Sequence, residues 1–517
     1  MEETVKIAEI AITDPETLRV LRVPQAATWI ERELSTPDLE PFVMVSARRF
    51  GGASSPIHLL PPPIGALSVF KIGALPKYFH FPDWMRADIP RAIEGRRLIS
   101  AVHETLERKV HAWAKDRPWL KNSARRERDV AENLKSIGDW SFRLSKNEGL
   151  HPYPGTFVHA IPSALIGALG LKGAVVLDPF GGTGQTASEV IKSGGTAISA
   201  DSNSVATLIA RAKLTYLSRE QRDIIRSIRL DELRLARAVT PPSVELIGKW
   251  HHPDTIAEIC QIKGFIDAHT DATVRQLLLA ALSAVLPATT ARKGKEHGFF
   301  ADNTPLGAAY TEPPYQPAYI PFLQRVLRNL DLIDKLYASI EANGRVPEEE
   351  LSRASILRAD SRIADAATYN ISPNSVDAII TSPPYLCMVD YSLGQRLSYY
   401  WLDPDRLELD FSHEIGARRR RSNPVSARNK YLDDLRAVAK NASNLLREGG
   451  YFATVLGAPV ANAFLADRDM HDAYDEILRE AGFSLLWKHW RDIHWHRNHG
   501  YQRLRQERIS VHVLKGG

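Results

Sequence analysis

The stretch GAVVLDPFGGTGQTASEVIKSG (173–194) limits the possible folds more than any other. An apolar run, GAVVLDPF, leads into the glycine-rich turn FGGTGQT. An amphipathic segment, TASEVIKSG, follows and ends in glycine. TAISAD (196–201) then reads as a second short strand. Strand, turn, helix and strand make a βαβ unit, which requires a parallel sheet. The strand pattern returns in SILRAD (355–360), VDAIIT (376–381) and, after the helical LDDLRAVAKNASNLLREGG, in YFATVLG (451–457). FSLLWKHW (483–490) and ERISVHVLK (507–515) read as a terminal strand pair. Between the two strand-rich parts, residues 215–350 read as almost pure helix. The expected fold is therefore α/β, with one sheet domain interrupted by a helical insertion after its second strand.

The glycine turn places Gly181, Gly182 and Gly184 between a strand and a helix N-terminus, where backbone N–H groups can approach a ligand. It fails G-x-G-x-x-G and has no Walker Lys-Ser/Thr, so phosphate is not the expected ligand. An acid at the strand tip, Asp178, suits an ammonium group. A second, Asp201, ends the next strand, where an acid commonly takes ribose hydroxyls. Ammonium, carboxylate and ribose together describe S-adenosylmethionine.

Ser382-Pro383-Pro384-Tyr385 follows VDAIIT directly. Tandem prolines fix the chain and remove two N–H donors. The Pro383 carbonyl can then point into a cleft beside the Ser382 hydroxyl. Two acceptors suit the two hydrogens of an exocyclic amine, and Tyr385 offers a flat face for stacking. This is a pocket for a flipped-out base.

On these residues the chain resembles the amino-group DNA methyltransferases of bacterial restriction-modification and related systems. DPFGGTG (178–184) is similar to their motif I, TSPPY (381–385) to motif IV, and HPYPGTF (151–157) to motif X. The resemblance covers about 136–215 and 354–517. WHHPDTIAEI and LLLAALSAVL in the insertion also look familiar from relatives. It implies a Rossmann-like class I methyltransferase fold, with a seven-stranded, mostly parallel sheet and one antiparallel strand near the C-terminus. The implied cofactor is S-adenosyl-L-methionine, held by Phe157, Asp178, Pro179, Phe180, Gly181, Gly182, Gly184, Thr186, Asp201 and Asp360. The implied catalytic set is Ser382, Pro383, Pro384 and Tyr385, with no metal. Asp201 stands at their motif II and Asp360 at motif III, so the order is X, I, II, insertion, III, IV and motif IV does not come first.

The implied reaction is direct methyl transfer to an amino group in double-stranded DNA. By family habit, serine ahead of PPY favours cytosine N4 over adenine N6. The alternatives are an RNA amino-group methyltransferase and a catalytically idle DNA-binding subunit. Cytosine-C5 chemistry needs a thiolate in a Pro-Cys context, which Cys387 lacks, so Cys387 reads as a core residue.

The expected organisation is 1–135, an N-terminal region of unknown role and fold; 136–215, the first half of the methyltransferase domain; 216–350, the helical insertion and candidate target-recognition part; and 351–517, the second half. The chain's 517 residues allow about two to four domains. Lys and Arg number 66 against 61 Asp and Glu, a net charge of +5 that is compatible with an anionic partner. Arg418, Arg419, Arg420 and Arg421 in ARRRRSNP read as a phosphate-contacting loop, with ARKGK (291–295) as a weaker case. HWHRNH (494–499), with Lys488, Arg491, Arg497, Arg503 and Arg505, reads as a basic, aromatic-interleaved hairpin region facing nucleic acid or as a plain solvated hairpin. KNSARRERD (121–129) reads as a solvated helix face, with phosphate contact as the alternative. The tyrosines and tryptophan of DYSLGQRLSYYWL (390–402) read as core. TEPPY (311–315) follows no apolar strand and reads as a decoy. Two cysteines, an acidic start and the absence of a run of ~20 apolar residues point to a cytoplasmic protein without membrane spans.

Overall fold

The computed structural model describes short strand segments between Val5 and Ala74. From Ser123 it describes residues 123–142, 149–153, 155, 158–244, 247–290, 313–457, 467–493 and 506–515. Two compact units divide the chain, Met1–Arg126 and Glu127–Gly517. In the first, Ala26–Trp29 pairs antiparallel with Val45–Arg48 and with Ala11–Ile12.

The second unit is built on a seven-stranded sheet. Its strands are β1 (Val175–Asp178), β2 (Thr196–Asp201), β3 (Ala354–Arg358), β4 (Val376–Thr381), β5 (Leu446–Gly457), β6 (Phe483–Asp492) and β7 (Gln506–Leu514). The spatial order is β3-β2-β1-β4-β5-β7-β6. The first five strands pair in parallel, and β7 runs antiparallel between β5 and β6. This is the α/β, Rossmann-like sheet with one reversed strand. All six residues of β4 are buried, as expected of a parallel strand covered on both faces. The order reverses between β1 and β4, and in such sheets a crevice opens beyond the strand C-termini at that switch point. The glycine turn and the Ser-Pro-Pro-Tyr segment leave β1 and β4 there.

Helices α1 (Gln185–Lys192), α2 (Ser204–Leu214), α3 (Ala272–Val285), α4 (Tyr319–Glu341) and α5 (Pro424–Leu445) surround the sheet. The Asn203 side chain caps α2 by accepting from the Val205 and Ala206 N–H groups, and Asp271 caps α3 in the same way. One core cluster joins Leu177, Ile379 and Phe452 of the strands to Tyr431 and Leu435 of α5, with Cys387 inside it. The helix α5 ends at Leu445. The segment LREGG, which reads as helix in the sequence, already belongs to β5. There the ladder jumps from Val376↔Leu446 to Ala378↔Tyr451.

The described part of 216–350 is helical, and its helices pack against the sheet unit. Apolar residues of α3, among them Leu277, Leu278 and Leu282, are buried, and α3 packs on α2 and α4. Among the described residues Ala272–Thr289 alone is long and apolar enough to cross a membrane, and its burial gives it the place of a core helix. Polar contacts reinforce this packing. Ser283 Oγ of α3 lies 2.9 Å from His151 Nε2 and 2.7 Å from Ser398 Oγ. The Leu217 N–H donates to the Tyr337 hydroxyl at 2.7 Å.

Candidate active site

Past Asp178 the chain turns through Pro179–Gly184 and enters α1. The Gly181 N–H donates to the Ala200 carbonyl at 2.8 Å, pinning the turn to the tip of β2. A Cβ at Gly181 would stand 1.9 Å from Ser199 Oγ, so only glycine permits the approach. Gly184, at the start of α1, has a left-handed φ of 73°. Asp201 holds the turn from the other side. Its Oδ2 accepts from the Gly182 N–H at 2.9 Å, and its Oδ1 from the Asn203 N–H at 2.8 Å.

Asp178 is 2% exposed. Its Oδ1 accepts from Thr381 Oγ1 at 2.6 Å and from the Phe180 N–H at 3.1 Å, so it joins the ends of β1 and β4. Burial pushes both Asp178 and Asp201 up to about 6, against the pull of their hydrogen bonds. Asp360 behaves differently. Burial raises it, but the hydrogen bonds and charge of Arg362, 2.6 Å away, hold it below the usual carboxylate range.

One cavity collects most of these residues. Pro179, Phe180, Gly181, Gly182, Asp201 and Asp360 line it together with Ser382 and Pro384. Asp178, Gly184 and Thr186 do not line it, nor do Pro383 and Tyr385. Phe157 lies outside the described residues, while its neighbours Tyr153 and Gly155 are in the lining. Ser382 Oγ donates to the Val455 carbonyl at 3.1 Å and to the Tyr385 hydroxyl at 3.3 Å. The Tyr385 hydroxyl donates to Glu507 Oε1 at 2.8 Å, which tethers the ring read above as a stacking face. The Pro384 carbonyl accepts from the Tyr431 hydroxyl at 2.7 Å. None of the described residues donates to the Pro383 carbonyl.

Four further side chains belong to this cavity, Tyr153 from the motif X stretch and three that no motif announces. Tyr153 and Tyr391 line it as a stacked pair, with ring centroids 6.1 Å apart and planes 19° apart. Tyr391 lies in the segment read above as core. Asp410 is buried and accepts from Ser204 N–H, Ser204 Oγ, Tyr399 OH and Arg358 Nη2 at 2.6–2.8 Å. Glu414 accepts from the Tyr391 N–H and pairs with Arg419 at 2.6 Å, and burial pushes it up to about 7. Asp410 lies in the helix Arg406–His413, and Glu414 follows its end in extended backbone. No pattern in the sequence marks either of them.

The arginine run forms a short 3-10 helix, Arg418–Ser422. Arg419 does not face outward. It pairs with Asp390 and Glu414, and its guanidinium carbon lies 3.6 Å from the centre of the Phe411 ring. Arg418 and Arg420 are half-buried and Arg421 is exposed. The segments 291–295 and 494–499, with Arg503 and Arg505, lie outside the described residues. Of TEPPY, the described Tyr315 donates to Glu258 at 2.5 Å, away from the cavity.

No protein-family model matches the chain. Among curated proteins, the Type II methyltransferase M.MjaII of Methanocaldococcus jannaschii is 26% identical over 258 residues. The match covers 46% of this chain and 43% of that protein, so the chain spans less than half of its relative's length. Two solved structures of a Thermus thermophilus protein described as a DNA modification methylase are 20% identical, with a TM-score of 0.19. Each covers 31% of this chain, with 53% and 52% of its own length matched, and the second is complexed with S-adenosyl-L-methionine. Over the stretch it shares with M.MjaII the chain is a relative of a type II methyltransferase, in keeping with the resemblance that its motifs carry.

Proposed function

We propose that the chain is an S-adenosylmethionine-dependent methyltransferase acting on an exocyclic amino group of a flipped-out base in double-stranded DNA, cytosine N4 before adenine N6. One observation carries this reading. The glycine turn with Asp201, and the serine of Ser-Pro-Pro-Tyr, line the same cavity.

The cavity fits the cofactor by its chemistry. Asp201, Asp360, Asp410 and Glu414 line it, and among the described residues no lysine or arginine does. That charge favours a ligand with cationic centres and disfavours a nucleotide phosphate. Phe180, Ala359, Ile415 and Tyr391 supply apolar surface for a ring. Asp201, Asp360 and the glycine turn would hold the cofactor, with the charge of Asp178 beneath. When bound, S-adenosylmethionine supplies an electrophilic methyl group on a sulfonium.

The rest is positioning by this chain's own groups. An exocyclic nitrogen is a weak nucleophile because its lone pair is delocalised into the base. Ser382 Oγ and the Pro383 carbonyl would accept its two hydrogens and turn the lone pair toward the methyl group. Cys387 has no such place. It sits in the core cluster, and burial raises its thiol, so a cysteine-based attack on carbon has no candidate there. The preference for cytosine rests on the serine ahead of PPY and the family habit noted above.

The test is transfer of label from tritiated S-adenosylmethionine to duplex DNA and to tRNA. The reading expects label in DNA with the intact protein and a loss of at least about a hundredfold with Ser382→Ala, at unchanged cofactor affinity. Label in tRNA alone would move the substrate to RNA. No transfer to either would favour the idle subunit.

A further inference from the structure

We propose that Glu507 is a positioning residue that sets the direction of the hydrogen-bond chain behind Ser382, so that the serine meets its target as an acceptor. The inference rests on the amino-group reading above and names what makes that site selective for N–H-bearing targets.

Glu507 lies on β7, opposite Gly457 of β5 and Arg491 of β6. It is nearly buried, as is Arg491, whose Nε lies 2.9 Å from Glu507 Oε2. Arg491 is fixed in turn by donating to the Trp140 carbonyl at 3.2 Å. As the anionic partner of Arg491, Glu507 has no proton to give and only accepts. The Tyr385 hydroxyl has one proton and spends it on Glu507 Oε1. Toward Ser382 the tyrosine oxygen is then left with lone pairs only. Ser382 must send its single proton backward, shared between the Val455 carbonyl and the Tyr385 oxygen. Both serine lone pairs stay free on the cavity side, which is what an amine hydrogen requires.

Without the carboxylate the direction is open. A tyrosine free to donate toward Ser382 would occupy one of those lone pairs and leave a weaker acceptor. A carbonyl-bearing target, which has no hydrogen to donate, gains nothing from this arrangement, whereas an amino group does. The segment Gln506–Leu514 thereby acts on the chemistry from the antiparallel strand, far in sequence from both motifs.

The experiment is a double-mutant cycle with Glu507→Gln and Tyr385→Phe, read by single-turnover methyl transfer to duplex DNA and by cofactor affinity. Glu507→Gln should slow transfer about tenfold, with KM for DNA and cofactor affinity within about twofold of the intact protein. In the Tyr385→Phe background the same change should cost less than about twofold, because Glu507 acts through the tyrosine. A purely structural role for the Glu507–Arg491 pair predicts the same cost in both backgrounds, and that result would overturn the proposal. So would unchanged transfer in Glu507→Gln. Melting curves identify a variant that fails to fold, and Tyr385→Phe then carries the test alone: it keeps the ion pair and should still slow transfer several-fold, while full activity would sink the proposal. If the intact protein transfers no label to DNA, the amino-group reading itself falls, which separates that failure from this one.

Discussion

Asp178 carries a conflict between stability and function in a single side chain. Its carboxyl is raised to about 6 by burial, so the folded protein binds a proton there more tightly than the unfolded chain does. Stability from this group is therefore greatest below about pH 4 and is lost as pH rises toward 6. Asp178→Asn keeps an oxygen for the Thr381 and Phe180 donors while removing the buried charge. We expect the variant to melt at the same or a higher temperature at pH 8, and to lose S-adenosylmethionine binding at least about tenfold in calorimetry. A lower melting temperature with normal binding would contradict the assigned role. Asp201 and Glu414 extend the argument to pH. Burial lifts them to about 6 and about 7, so their negative charge develops as pH rises through that range. Affinity for the cationic cofactor should climb between about pH 5 and 8 and then level off. A flat profile would mean that these acids do not face the ligand. The acids at strand tips were legible because glycines and strands flank them. Asp410 and Glu414 were not, because only the tertiary fold brings them to the cavity.

At the scale of elements, the arginine run shows what composition hides. Four arginines read as one basic loop, yet Arg419 is held by Asp390, Glu414 and Phe411. Its neighbour Arg421 is exposed. The two should separate experimentally. Arg419→Ala should lower the melting temperature, since it strands Glu414 without its cation. Arg421→Ala should leave melting unchanged and reduce the salt dependence of DNA binding by about one counterion. An unchanged salt slope would remove Arg421 from the interface. The glycine turn makes a sharper case. Gly181→Ala places a methyl group against Ser199, so the turn should shift and cofactor affinity fall, with partial recovery when Ser199→Ala is added. The seven strand segments, by contrast, were legible in the βαβ grammar and the terminal strand pair, while their order in the sheet was not. Nor was the start of β5, because LREGG continues a good helical pattern and only the ladder with β4 draws it into the sheet.

Across the whole molecule, the motifs are brought together by the switch point between β1 and β4, and α3 of the helical stretch packs on α2 and α4. The Ser283 contacts with His151 and Ser398 tie α3 to the segment before β1 and to the helix after β4. Burial holds the His151 imidazole neutral, at about 3, so it serves as a hydrogen-bonding spacer. The same sheet would serve many chemistries, and the assignment to methyl transfer therefore stands on the cavity. The central claim is that this cavity methylates an amino group of a DNA base. Nucleoside mass spectrometry tests it most directly, on DNA from cells expressing the intact protein or its Ser382→Ala variant. N4-methylcytosine present only with the intact protein is the predicted result, and N6-methyladenine would change the base but keep the chemistry. DNA with no modified base from the intact protein, or the same modification from both, would contradict the account.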